Sequence, residues 1–333
     1  MPVRHRALAV LVAAIWGVNF LAIHASLEAF PPFLLAALRW TALAVPALLF
    51  VPRPRIAWRW LLLYGAGFGV AQFAFLYWGM AAGMPTGLAS LVLQCSAPFT
   101  VLLGVAMAGE RLTRRRAVGV VVAVAGLAVV GVARGAVAAW FPFLLTVLGG
   151  LGWAFGNLAV RRAGPVHPLR LTLWMSVVPP LPLLALSLAV ERPARIAAAF
   201  DADVLTSSRG LWALAGLAYT VVVATVVGSG TWAWLLGRHP ASSVAPFSML
   251  VPVTGIAAAW LVLGERPRGW EWVGAALVVG GVLLGATRSR RSRRPQPPQE
   301  GLTGLSERKS PATLMSTSLA SVSPMVARTP SSP

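Results

Sequence analysis

The chain is poor in the residues from which reactive centres are built. Of its 333 residues one is a cysteine, nine are acidic and four are histidines. The lone Cys95 excludes an internal disulfide and every metal motif made of several cysteines; within an apolar run it reads as a small buried hydrophobe. No apolar stretch contains a pair of carboxylates, which excludes a membrane enzyme that holds Mg²⁺ against a lipid pyrophosphate. His5, His24, His167 and His239 fall at helix ends or in loops without ligand spacing, and no Walker-type loop occurs. The sequence therefore offers no catalytic set, no metal site and no cofactor, and the chain is not read as an enzyme.

Charge is scarce as well. Charged residues make up 11% of the chain against 57% hydrophobic ones, and the mean hydropathy is +0.75. No water-facing surface can be built from that balance. Apolar runs recur instead, each long enough to cross a hydrocarbon layer about 30 Å thick at about 1.5 Å per residue. The windows between proline, glycine and charge punctuation predict an all-α polytopic membrane protein with ten helices, over 6–26, 32–52, 59–81, 86–108, 115–133, 139–160, 168–190, 208–236, 241–263 and 268–286. The basic and apolar start resembles a signal peptide but has no clean cleavage site, so it is expected to remain as the first helix. The stretch 191–210 is the longest internal connection, with room for a short surface helix. From Thr287 onward Arg, Pro, Ser, Thr and Gln take over, and 288–333 is expected to be a disordered basic tail.

The formal charge of +19 would suggest nucleic acid for a soluble protein. Here, before the tail, thirteen arginines lie in loops on the side of the N-terminus and six in the opposite loops, which also hold six of the nine acids. By the positive-inside rule both termini are cytoplasmic, in a multi-pass protein of the cell (inner) membrane, and nucleic acid drops out as a partner. The cluster "RSRRSRR" after the last helix agrees and can touch anionic lipid.

The two halves repeat one pattern. The stretch "WGMAAGMPTGLASLVLQCSAPFTVLLGVAMAGERL" from Trp78 faces "WAWLLGRHPASSVAPFSMLVPVTGIAAAWLVLGERP" from Trp232, with Gly83 over Gly237 and Pro98 over Pro252. Upstream, "AIWGVNFLA" at 14–22 faces "GWAFGNLAV" at 152–160, with Asn19 over Asn157. Two five-helix units, 1–133 and 134–287, account for this. Five is odd, so the second unit enters the membrane upside down, placing Glu110 inside and Glu265 outside; such inverted repeats are typical of secondary transporters.

With Trp-Gly-x-Asn in a first helix, "LRW" at 38–40 in a second, proline in a fourth and "GER" closing it, the doubled pattern resembles the EamA-type transporters of the drug/metabolite transporter superfamily over roughly 6–286. One departure is that the first Pro-to-Glu interval is a residue shorter than the second. The resemblance implies an alternating-access carrier that exports amino acids, related small metabolites or drugs, driven by a gradient. A lipid or isoprenoid-carrier flippase of the same fold is the alternative.

Few residues depart from the apolar background, and each has two readings. Arg39 is the one charge well inside a predicted span: at about 2.5 kcal/mol or more for a mid-bilayer arginine, it either snorkels to the outer interface or binds a carboxylate. Glu110 and Glu265 either cap helix ends, pairing with loop arginines or neighbouring helices, or carry a coupling proton. Pro98 and Pro252 free the carbonyls of Gln94 and Ser248, which then face packed protein or a water-filled cavity; Ser90, Ser96, Ser242, Ser243 and Thr254 cluster nearby. Asn19, Asn157 and Gln72, near Trp16, Tyr77, Trp153 and Trp232, either line a pocket for a small zwitterion or join helices. "GVLLG" at 281–285 marks either a dimer contact or an internal one. The expected partners are thus a small-molecule solute and membrane lipids, with coupling protons and a homodimer left open.

Overall fold

The structure, a computed structural model, describes residues 1–135, 140–164 and 166–286; the tail expected over 288–333 lies outside the described residues. Among the described residues there is no strand, and nine helices are long and apolar enough to cross a membrane, with a shorter tenth. They are α1 (Val3–Leu27), α2 (Pro32–Phe50), α3 (Trp58–Ala81), α4 (Thr86–Met107), α5 (Arg114–Val132), α6 (Trp140–Ala163), α7 (Pro168–Val190), α8 (Ser208–Arg238), α9 (Ala245–Leu263) and α10 (Gly269–Gly285). All ten coincide with the predicted spans to within a few residues. The long connection after α7 carries two short helices, Pro193–Ala198 and Ala202–Thr206.

The departures from regular α-helix fall in matching places. In α7 the chain turns at 176–179 before resuming at Pro180, because the adjacent Pro179 and Pro180 bring no amide donors to continue the ladder. α3 is π-helical over Gly65–Ala71 and α8 over Tyr219–Ser229, and the Trp78-over-Trp232 alignment sets Gly65 against Tyr219. α4 tightens to 3₁₀ at Leu93–Cys95, and the start of α9 does so at Ala245–Met249. Pro98 and Pro252 are each the third residue of the α-helical segment that follows, Ser96–Ala108 and Leu250–Leu263. There, in a first turn, the missing amide removes little from the ladder.

Helix pairing is symmetric between the halves. α1 packs on α8 and α9, as α6 packs on α3 and α4; α2 pairs with α7, α4 with α9, and α5 with α10. The three pairs of equivalent helices that touch run antiparallel. Glu191, just past α7, accepts hydrogen bonds from the amides of Phe33 and Leu34 at the start of α2, at 2.7 and 3.1 Å. Glu265, just past α9, does the same for Thr86 and Gly87 at the start of α4. Gly119 in α5 meets the Gly281 carbonyl of α10, where a Cβ would lie 2.6 Å from that oxygen, while Gly126 further along meets Val278. The second five-helix unit is therefore inverted relative to the first, and Gly281 and Gly285 are used in a contact within the chain.

The antiparallel arrangement gives the bundle two ends. The near end gathers the start of α1, the end of α4 and the start of α9; the far end gathers the end of α1, the start of α4 and the end of α9.

Candidate functional site

A cavity of about 560 Å³ lies between the halves, within the usual range for small-molecule sites. It reaches the near end, where Pro168 and Ala245 at the starts of α7 and α9 line it. Towards the far end it stops short at Ile23, Leu76 and Ser90. A larger cavity of about 980 Å³ sits at the far end among loop residues and exposed arginines. The inner cavity is the stronger site, since buried polar atoms without partners converge on it.

Arg39 dominates its chemistry. Only 6% of the residue is exposed. Nη1 donates to the Tyr77 hydroxyl on α3 at 3.2 Å and Nη2 to Thr225 Oγ1 on α8 at 3.1 Å. Thr225 can accept because its own proton goes to the Thr220 carbonyl at 2.8 Å, a bond that skips five residues in the π-helical segment. The guanidinium carbon lies 4.0 Å from the centre of the Phe73 ring and 4.9 Å from that of Trp40. No acidic side chain lines the cavity among the described residues, and Nε has no partner. Burying a cation costs several kcal/mol. Hydrogen bonds from the cation to two hydroxyl oxygens, at about 1.5 kcal/mol each, and cation–π contacts of about 2 kcal/mol offset part of that. The remaining deficit is what an anionic ligand would relieve. The side chain points into the bundle, and the snorkelling expectation is not what the geometry shows.

Two further orphans share the cavity: Trp40 Nε1, a donor, and Gln72 Oε1, an acceptor. Gln72 begins the α-helical part of α3, directly after the π-helical segment. Wide π turns of this kind are rare and concentrate at functional sites.

The other predicted residues divide. Asn19 lines the cavity and accepts from Thr220 Oγ1 of α8 at 2.8 Å; Asn157 lines it too and donates to Thr100 Oγ1 of α4 at 3.1 Å. Both amides thus line the cavity and join helices. The Trp16 ring lies 5.2 Å from that of Trp232, tilted by 54°, and its Nε1 donates to the Ala224 carbonyl at 3.0 Å. Gln94 reaches Met249 Sδ at 3.7 Å, and Ser248 bonds to its own turn. Pro98 and Pro252 are not in the cavity wall; Pro98 lines a groove between α4, α5 and α10, and Pro252 is buried. The glutamates stand apart from it. Glu110 takes Arg161 at 2.7 Å and Arg116 at 3.6 Å, whereas Glu265 takes backbone amides. Cys95 is fully buried beside Gly150.

Sequence reasoning missed Phe73 and Thr225. Thr225 had a local signal, a hydroxyl in the apolar run "TVVVATVV", and Phe73 had only its adjacency to Gln72.

Comparison with known proteins agrees with this picture. The chain is 39% identical over 286 residues to a probable amino-acid metabolite efflux pump of Salmonella typhimurium, covering 83% of this chain and 93% of that one. It is 31% identical over 286 residues to a probable terminal-alkyne amino-acid exporter of Streptantibioticus cattleyicolor, covering 83% and 91%. A solved structure titled "Crystal structure of protein" shares the fold with a TM-score of 0.56 and 21% identity, covering 85% of this chain and 98% of that one. The EamA-like transporter family matches twice, at residues 6–132 and 140–287, once per half. This chain is a multi-pass membrane transporter, not an enzyme, and it belongs to the EamA-like transporter family.

Proposed function

We propose that the protein exports amino acids or closely related carboxylate-bearing metabolites by alternating access, with Arg39 holding the carboxylate. The observation that carries this reading is the buried guanidinium without an acidic partner in a cavity at the junction of two inverted repeats. Gln72 Oε1 supplies an acceptor for an ammonium, and the Trp16–Trp232 pair an apolar wall for a side chain. The names of the relatives, a probable amino-acid metabolite efflux pump and a probable terminal-alkyne amino-acid exporter, point the same way.

Direction follows from charge. The near end carries the arginine-rich loops, so the positive-inside rule places it, with both termini, on the cytoplasmic side of the inner membrane. The cavity then opens to the cytoplasm, where an exporter loads. The units 1–133 and 134–287 are the two moving bodies. No carboxylate lines the cavity among the described residues, so a coupling proton carried on Glu110 or Glu265 would be held outside it. Gly281 is packed against α5 within the chain, so a homodimer would use another face of α10.

Proteoliposomes loaded with single amino acids test the reading. Efflux of at least one, lost in Arg39→Gln at equal protein content, is the expected result. Lipid scrambling without amino-acid efflux would instead establish the flippase. Reporter fusions after Arg116 and after Arg268 should give opposite signals, and equal signals would refute the orientation.

A further inference from the structure

We infer that Glu110 and Glu265 form a reciprocal latch that decides which end of the cavity is open. The inference rests on the alternating-access reading above.

Both glutamates are presented by the same device. Gly109 and Gly264 end their helices in the left-handed region, at φ 65° and 68°, and turn the following residue back over the last helical turn. The amide of Glu110 donates to the Gly104 carbonyl and that of Glu265 to the Ala259 carbonyl, at 3.1 and 3.3 Å. Equivalent turns at opposite ends of the bundle nonetheless lead to different partners. At the far end both carboxylate oxygens of Glu265 accept from the amides of Thr86 and Gly87, each at 2.9 Å, and tie the end of α9 to the start of α4. A carboxylate on the first free amides of a long helix is a charge-assisted contact in the favourable sense of the helix dipole. It sits at the end where the cavity is closed.

At the near end the alignment sets Pro240 and Ala241 against Thr86 and Gly87; Pro240 has no amide, so the counterpart contact would join Glu110, past α4, to the amides of Ala241 and Ser242, one residue further along, in the turn that precedes α9. Glu110 is instead held by Arg161 and Arg116, and the start of α9 forms part of the cavity mouth. One structure thus contains the latch in both of its states: engaged where the cavity is shut, and parked on arginines where it is open. When the halves exchange conformations, Glu265 leaves the α4 amides, and Glu110 leaves its arginines for the start of α9. The recurrence of Gly-Glu-Arg at the close of each fourth helix is explained by this exchange, because each copy locks one side.

The test uses the full chain in a Cys95→Ser background, with Thr86→Cys as the far-end probe and Ser243→Cys as the near-end probe. The latch uses the Thr86 amide, so replacing its side chain leaves the contact intact. Impermeant maleimide is applied from each side, at equal membrane abundance. With both glutamates present, Thr86→Cys should label slowly but to completion from outside and Ser243→Cys quickly from inside. A Thr86→Cys site that never labels would overturn alternating access itself, and the latch with it.

Given alternation, Glu265→Gln, whose amide can cap only one of the two N–H groups, should raise far-end labelling at least fivefold and lower near-end labelling. Glu110→Gln should do the reverse, and the double variant should return towards the starting balance. A purely structural role would not move labelling in opposite directions, so unchanged or parallel shifts would overturn the latch while leaving alternation standing. If Glu265→Gln fails to accumulate, Glu265→Asp, which keeps the charge but shortens the reach, must shift labelling the same way and by less.

Discussion

In the first half of the chain the third helix widens to π-helix over Gly65–Ala71 and the fourth tightens to 3₁₀ over Leu93–Cys95. In the second half the same two helices widen over Tyr219–Ser229 and tighten over Ala245–Met249. Backbone irregularity is thus duplicated, whereas the buried charge and the unpartnered polar atoms of the cavity are not. Arg39 is buried in α2, while Arg170, the arginine of the equivalent helix α7, is exposed at its near end. Gln72 has an unpartnered oxygen, while the alignment puts Val226 opposite it. Irregular helices in both copies give the cavity a wall that can be remade on either side, since non-α backbone in a membrane persists only where protein or a cavity satisfies it. Residues present once give it a ligand.

The largest effect that separates the halves is expected at these two arginines. Arg39→Gln should reduce amino-acid efflux at least ~30-fold, as loss of a charge-assisted contact worth ~2 kcal/mol implies. Arg39→Lys should retain part of it, keeping the charge without the fork. Arg170→Gln should stay within about twofold. Arg39→Met should also raise the thermal midpoint in detergent, because an apolar residue of similar length replaces an unpaired buried cation. A drop in stability together with lost efflux would turn Arg39 into a packing residue.

Next come the helix contacts α1–α9 and α6–α4, which the repeat makes equivalent. A Cβ on Gly17 would collide with Thr254 Oγ1 and lie 2.8 Å from the Gly255 nitrogen, so backbone would have to move. A Cβ on Gly150 would collide mainly with the Cys95 sulfur, with the nearest backbone atom at 3.3 Å. Gly17→Ala should therefore cost ~3 kcal/mol and deplete the protein from membranes, against ~1 kcal/mol for Gly150→Ala. Adding Cys95→Ala should rescue Gly150→Ala. Failure of that rescue would mean that the α4 backbone is the true obstacle.

These cases also show what was legible in the sequence. Helix positions could be read because a membrane span imposes a length and an apolar composition, and the repeat because a duplicated segment keeps its punctuation. The turn at 176–179 was foreshadowed by Pro179–Pro180 but hidden inside an apolar window of the right length. The π and 3₁₀ segments had no local signature, since the hydrogen-bond register of a helix is set by what packs against it. Arg39 stood out as a charge, yet its partners Tyr77 and Thr225 are 38 and 186 residues away in sequence. Only the folded bundle reveals that no carboxylate is among them.

The prolines should give a smaller, functional effect. Pro98→Ala and Pro252→Ala supply an amide for the carbonyls of Gln94 and Ser248, allowing α-helix to extend back over each 3₁₀ segment. Stability should hold or rise by up to ~1 kcal/mol, since proline in a first turn costs little and alanine is the better helix former. Efflux should fall a few-fold in both, with Thr86→Cys and Ser243→Cys labelling biased in opposite senses. Unchanged efflux would mean that the 3₁₀ segments do not take part in the exchange.

The smallest effect concerns the asparagine pair that both copies share. Asn19, in the cavity wall, spends its oxygen on Thr220, which leaves its NH₂ group; Asn157, also in the wall, spends its nitrogen on Thr100, which leaves its oxygen. Equivalent residues thereby offer the solute a donor from one half and an acceptor from the other. Replacing either by leucine removes an interhelical bond worth ~0.6 kcal/mol on average in a membrane, so each should lower the thermal midpoint only slightly. The consequences for solute binding should differ. Asn19→Leu removes a donor from the cavity that already holds Arg39, and a carboxylate should lose less than about threefold in affinity. Asn157→Leu removes an acceptor where Gln72 supplies the other identified one, so a free ammonium should lose more than its N-acetylated analogue. Competition of the two compounds for efflux, measured in both variants, reads that difference directly. Equal losses for both compounds in both variants would reduce the asparagines to helix joints and leave recognition to Arg39 and Gln72.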